Sequence, residues 1–275
     1  MPIKSILVYV DNAGRSKACL DVALSISDMF DTHVAGIANR APAYMPAYAA
    51  AQIPPEVFIA FDEEQDRRLE VARKEFEDAL TVQGRLDRSS WEIGEGDVAT
   101  TVTERAHYHD LVILRQEMED SDSGLYEGVP DEVILTAGGP VLVIPYIDYG
   151  NSLGKSILIG WSNTRESARA VHDAMPFLKR AEKVHIFSAN PKTGDDVPGA
   201  ELARYLSEHG IKAEISRTTS NDLDVGDMLL NDVAENGHDM VVVGGYGHRR
   251  IREMILGGVT HDLLQRMTVP VLFSH

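Results

Sequence analysis

The sequence predicts an α/β protein built twice: two tandem, open, mostly parallel five-stranded sheets with helices on both faces. Three observations carry this. The chain repeats itself, since "KSILVYVDN" begins at Lys4 and "KSILIGWSN" at Lys155, while "GVPDEVILTAGGPVLVIP" begins at Gly128 and "GVTHDLLQRMTVPVLFSH" at Gly258. Within each copy, short apolar runs alternate with amphipathic segments, the pattern of parallel strands joined by right-handed helical crossovers. Several runs, such as "MVVVG" from Met240, are apolar without alternation, as in strands covered on both faces.

The second copy gives the clearest element order. Its strand patterns are Ile157–Ile159, Val184–Phe187, Ala213–Ile215, Met240–Val243 and Val271–Phe273. Helical patterns fall between them at Arg165–Lys179, Gly199–Glu208, Val225–Asn236 and Val259–Met267. The first copy carries extra sequence in its middle: "APAYMPAYAAAQIPPEVF" from Ala41, then a charged helical pattern from Asp62 to about Leu80. Domains are therefore expected at 1–148, with a long insert near 41–62, and at 152–275. The polar, glycine-bearing "YIDYGNSLG" links them. Each copy ends in an apolar strand, Pro140–Pro145 and Pro270–His275, and a bare apolar edge invites pairing.

Composition narrows the function. The formal net charge of −17 argues against general affinity for nucleic acid or an anionic membrane, which needs clustered Lys and Arg. No apolar run approaches the ~20 residues of a membrane span. The single cysteine, Cys19, lies among apolar residues, reads as a buried inert thiol and fits a reducing compartment. "MPIKSILVYVD" enters a strand pattern at once and lacks signal-peptide architecture, so the expected location is cytoplasmic.

The stretch "GGYGHRRIREMILGGVT", from Gly244 to Thr260, follows the fourth strand of the second copy. Its spacing is Gly244-x2-Gly247-x9-Gly257-Gly258, closing on a helix. It fits neither a Rossmann fingerprint nor a Walker A loop, because no Gly-Lys-Ser/Thr follows. Glycines let backbone N–H groups approach an anion, a helix start supplies unpaired N–H groups, and Arg249, Arg250 and Arg252 add positive charge. In open α/β sheets, ligands bind beyond the carboxyl ends of the strands, where strand order reverses.

This loop resembles that of the universal stress protein family, whose G-x2-G-x9-G-(S/T) motif binds the ribose and phosphates of ATP. The resemblance covers nearly the whole chain, in the family's tandem form. Further support comes from the strand-one ends "VYVD" and "IGWSN", from "VGDMLLNDVAENGHDMVVVGGYGH", and from the closing "VPVLF". It implies the adenine-nucleotide α-hydrolase-like (HUP) fold, with the two terminal strands pairing antiparallel inside one chain as a pseudo-dimer. It also implies one adenine nucleotide, ATP, ADP or AMP, with or without magnesium. Gly160, Trp161, Ser162 and Asn163 would flank the adenine and ribose, Trp161 either walling the base or packing in the core. Phe187 and Ser188 would meet the adenine edge. The loop would contribute Val243, Gly244, Tyr246, Gly247, His248 and Arg249, and the helix start Gly257, Gly258, Val259 and Thr260. Two positions depart from the family pattern. Gly258 stands where Ser or Thr is usual, with Thr260 as a substitute hydroxyl, and Ser162 stands where an Asp ends strand one. Both departures favour AMP or ADP over a metal-bound triphosphate.

The first copy keeps the strand-one acid, Asp11, but lacks the first two glycines. Glu117, Glu119, Asp120, Asp122 and Glu127 crowd the place where phosphates would sit and would repel them. One competent site, in the second copy, is the expectation. "HYHD" at His107 has metal-like spacing without further ligands, and His185 reads as a packed histidine inside a strand. No catalytic arrangement can be assembled from spacing. The chain is thus expected to be a nucleotide-binding stress-response module, forming a homodimer and serving an unidentified protein partner. A slow ATPase or nucleotidyl-transfer enzyme and a nucleotide-free scaffold are the competing readings.

Overall fold

The computed structural model describes residues 2–11, 15–41, 53–118, 126–150, 152–191, 197–220, 222–247 and 258–275. The first half runs β1 (Ser5–Tyr9), α1 (Lys17–Phe30), β2 (His33–Arg40), α2 (Pro55–Val82), β3 (Ser89–Glu95), α3 (Val98–Ala106), β4 (Leu111–Arg115), α4 (Val129–Thr136) and β5 (Val141–Ile144). The second half repeats the order: β6 (Ser156–Gly160), α5 (Arg165–Leu178), β7 (Lys183–Ala189), α6 (Ala200–Glu208), β8 (Ala213–Thr218), α7 (Val225–Asn236), β9 (Met240–Gly244), α8 (Val259–Arg266) and β10 (Val271–Ser274). None of the described helices is long and apolar enough to cross a membrane.

The two expected five-stranded sheets are joined into one of ten strands, in the order β3-β2-β1-β4-β5-β10-β9-β6-β7-β8. Pairing is parallel within each half. At the centre it turns antiparallel, where Val271, Leu272 and Phe273 face Val143, Leu142 and Val141. The two apolar terminal edges cover each other inside one chain.

Alternation along each strand feeds two cores. In β6, Ile157 and Ile159 point to the layer of α1, α2, α5 and α6, whereas Leu158 points to that of α3, α4, α7 and α8. The extra length of the first half is in α2, 28 residues against nine in α6. Helix α2 starts at Pro55, earlier than the expected Asp62, because proline's missing N–H costs nothing in a first turn. The duplication persists at single residues. Asp110 accepts the backbone N–H groups of Lys4 and Ser5, and Asp239 those of Lys155 and Ser156. Asp110 of "HYHD" is thereby engaged in holding β1.

Candidate functional site

Strand order reverses between β6 and β9: β7 and β8 lie to one side, β10 to the other. Their carboxyl ends carry Gly160 and Gly244, which places Trp161–Thr164 and Gly244–Gly247 side by side at the point where such sheets form a binding crevice. The start of α8 closes it, with Gly258 at φ +125° and, among the described residues, no atom within 4 Å of where a side chain would begin. The first N–H groups of α8 have no partner inside the helix, the ordinary condition of a helix N-terminus. His248, Arg249 and Gly257, with Arg250 and Arg252, lie outside the described residues.

Gly244, Gly245 and Gly247 are explained in part by packing. A Cβ on Gly244 would stand 2.5 Å from the backbone carbon of Glu166 and the nitrogen of Ser167, at the start of α5. On Gly245 it would stand 2.7 Å from Ile134 of α4, in the other half. On Gly247 it would meet the Glu166 Oε2 at 3.0 Å and the Thr164 Oγ1 at 3.3 Å. The motif glycines therefore admit the second half's own α5 and the first half's α4. The left-handed turn residue is Tyr246, at φ +53°. Its backbone N–H donates to the Thr260 Oγ1 at 3.1 Å and its hydroxyl to Asp131 of α4. Burial, followed by that carboxylate, pushes the Tyr246 phenol far above its usual range. Thr260 is buried, and its oxygen secures the loop.

On the strand-one side, Ser162 and Asn163 are exposed, and Asn163 takes φ +53°. Trp161 is half-buried against the core, and its backbone N–H donates to the Phe187 carbonyl at 2.8 Å. Val243 and Phe187 are buried in the core opposite the one against which Trp161 packs. Ser188 is buried, and its hydroxyl has no hydrogen-bond partner among the described residues. An unpaired buried hydroxyl costs about 1–3 kcal/mol, so a ligand group meeting it would be favoured.

Sequence reasoning missed Glu166, a buried carboxylate beside the loop. Burial pulls its pKa upward. Its own backbone N–H, then Arg165 and the Thr164 hydroxyl, outweigh that and hold it below the usual carboxylate range. It is ionised at neutral pH. Only its adjacency to Arg165 was readable in advance.

In the first half the corresponding place is filled from within. Arg115 stands at the position of Gly244, pairs with Asp11 at 2.7 Å and lies 3.7 Å over the Tyr126 ring. Tyr126 in turn stacks on Tyr9. The acidic crowding expected there falls partly on residues 119–125, outside the described residues, while Glu117 accepts the Gly128 N–H. Gln116 donates to the carbonyls of Leu264 and Gln265 and so docks on α8 of the second half. A cavity of about 570 Å³ opens nearby, among Arg15, Lys17, Gln116, Tyr146 and Tyr149. Cys19 lines it, with a thiol that burial and then Asp11 push up to about 12.

Residues 154–275 match the model of the universal stress protein family. A universal stress protein of Synechocystis sp. is 25% identical over 92 residues, 32% of this chain and 31% of that protein. The matched segment thus spans about a third of that relative's length. The crystal structure of a universal stress protein from Archaeoglobus fulgidus superposes with a TM-score of 0.79 at 14% identity, covering 98% of this chain and 95% of its own. A putative universal stress protein from Pseudomonas aeruginosa gives 0.62 at 14% identity, covering 99% and 93%. At these identities the superpositions speak for the fold.

Proposed function

The chain belongs to the universal stress protein family through its second half, with the fold repeated in tandem; from that premise we propose that it binds one adenine nucleotide in that half. The observation that carries this is the crevice at the reversal of strand order, bounded by Gly160–Thr164, Gly244–Gly247 and the N-terminus of α8. The unpaired Ser188 hydroxyl supports a polar ligand at the end of β7. Arg115 supports a single site, because its guanidinium occupies the first half's counterpart.

Glu166 bears on which nucleotide is held. An ionised carboxylate beside the loop repels each added phosphate, so AMP or ADP is favoured over ATP. Magnesium has no strand-one acid to meet, since Ser162 stands there. Among the described residues, Glu166 is the carboxylate beside the loop, and it is engaged by Arg165 and the Thr164 hydroxyl, which favours a regulatory or protective binding role over hydrolysis. The second chain of a homodimer would seat on helical faces, because β5 and β10 already cover each other. Val57 and Val71, on one face of α2, are exposed apolar residues suited to that role.

Calorimetric titration with AMP, ADP and ATP tests the reading. One site per chain is expected, lost in Gly247→Val, which puts a branched side chain between the loop and the start of α5. Glu166→Gln is expected to tighten ATP more than AMP. Two equivalent sites per chain, or unchanged affinity in Gly247→Val, would overturn it. Phosphate release with Mg²⁺ no faster than in that variant separates a binding module from an ATPase.

A further inference from the structure

The amino ends of the second half's strands hold a buried polar trio, at the opposite end of the sheet from the glycine loop. His185 lies on β7, Asp232 in the last turns of α7, and His238 on the turn into β9. Both histidines are buried, and the Asp232 side chain is 12% exposed, giving the group an outlet to solvent. The His185 Nδ1 is 3.1 Å from the His238 Nε2, and each of these nitrogens is 3.3 Å from the Asp232 Oδ1. Three donor atoms therefore form a nearly equilateral triangle.

Protons alone do not satisfy this triangle. Two neutral imidazoles bring at most one N–H each to it, and an ionised carboxylate brings none. Every placement of those protons leaves one contact facing lone pair to lone pair, or N–H to N–H. Asp232 Oδ1 is correspondingly buried without a hydrogen bond among the described residues. A cation bound on the axis of the triangle would satisfy all three atoms at once.

We propose that His185, Asp232 and His238 form a divalent metal site of the zinc type, with a fourth position open toward solvent. Tetrahedral zinc bonds of about 2.0–2.1 Å put ligand atoms roughly 3.3–3.4 Å apart, so the 3.1–3.3 Å triangle fits with little movement. Two imidazoles with one carboxylate is a donor set suited to zinc, too hard for copper(I) and too rich in nitrogen for magnesium or calcium. The outer shell is present as well. The Oγ of Ser156 lies 2.9 Å from the His238 Nδ1, which orients the ring and leaves Nε2 aimed into the triangle. The bound ion would tie the start of β6, the body of β7, the end of α7 and the entry to β9 together. Since a preformed site is absent from the unfolded chain, binding there also stabilises the fold.

The test uses the full chain stripped by a chelator and titrated with cobalt(II), then zinc. One cobalt per chain with an intense tetrahedral visible band is expected, displaced by one equivalent of zinc, with a zinc-dependent rise in melting temperature. Asp232→Asn keeps the shape of the side chain and is expected to lower zinc affinity at least about 100-fold. Ser156→Ala is expected to lower it about 10-fold or more through the outer shell. The chain has ten histidines, so a metal bound elsewhere is a real alternative. Absence of the band and of stoichiometric zinc uptake would overturn the site. So would undiminished zinc affinity in Asp232→Asn, or in Ser156→Ala should the first variant misfold.

Discussion

Gly244 and Gly247 belong to one motif, yet their surroundings ask different things of them. Gly244 faces backbone atoms at 2.5 Å, and backbone at a helix start cannot step aside. Gly247 faces the far end of the Glu166 side chain, which can rotate away. Gly244→Ala is therefore expected to destabilise by about 1–3 kcal/mol, the range for overpacking, and Gly247→Ala by less than about 1 kcal/mol. Urea denaturation midpoints at unchanged slope check this, and equal losses would show that the close approach at Gly244 is misread. The spacing of the glycines was legible in the sequence, whereas this division of labour was not, because it depends on α5 arriving from some 80 residues earlier. Arg115 was illegible for the same reason: its partner Asp11 lies 104 residues away. The acids of the first-half loop drew notice instead.

Helix α5 carries the far wall of the crevice, and its entry is tightly specified. Thr164 accepts the Ser167 N–H, and the Ser167 hydroxyl accepts the Thr164 N–H, a reciprocal cap that satisfies two backbone donors. Thr164→Ala is expected to cost about 1 kcal/mol, the usual worth of such a cap. It should also loosen the Glu166 carboxylate, since the Thr164 hydroxyl helps hold that group. Thermal unfolding of the variant measures the first effect, and a change in ATP affinity relative to AMP the second. Elements of this kind were the most readable part of the chain. All five strand patterns of the second half fall inside observed strands. Strands β6, β9 and β10 are uninterrupted apolar runs, as buried strands are, whereas the edge strand β8 is mostly exposed and was read from a shorter, alternating pattern. The start of α2 was not readable, since the alanine- and proline-rich stretch before it has no amphipathic period. His238 and Asp232 went unnoticed because one sits in a turn and the other in a helix, with His185 about 50 residues before them.

At the scale of the molecule, the fold depends on which chain supplies the partner of β10. Antiparallel pairing of β5 and β10 inside one chain makes a single ten-stranded sheet, and exchange between two chains would make the same contacts in a swapped dimer. The outer edges, β3 and β8, are mostly exposed and carry charges such as Glu92, Glu214 and Arg217, which discourages further strand addition. Leu142 and Leu272 are direct partners across the central ladder. Such partners have Cα atoms about 4.5–5.5 Å apart, inside the range a disulfide spans. The double variant Leu142→Cys with Leu272→Cys should therefore oxidise to a bridge. Cys19 will compete poorly, because its buried thiol, raised to about 12, holds almost no thiolate at neutral pH. Pairing within the chain predicts a cross-linked monomer that runs faster than its reduced form on a denaturing gel. A covalent dimer that reverts on reduction would instead mean that the halves pair between chains. The homodimer would then be the swapped one, with α2 free of any role in it.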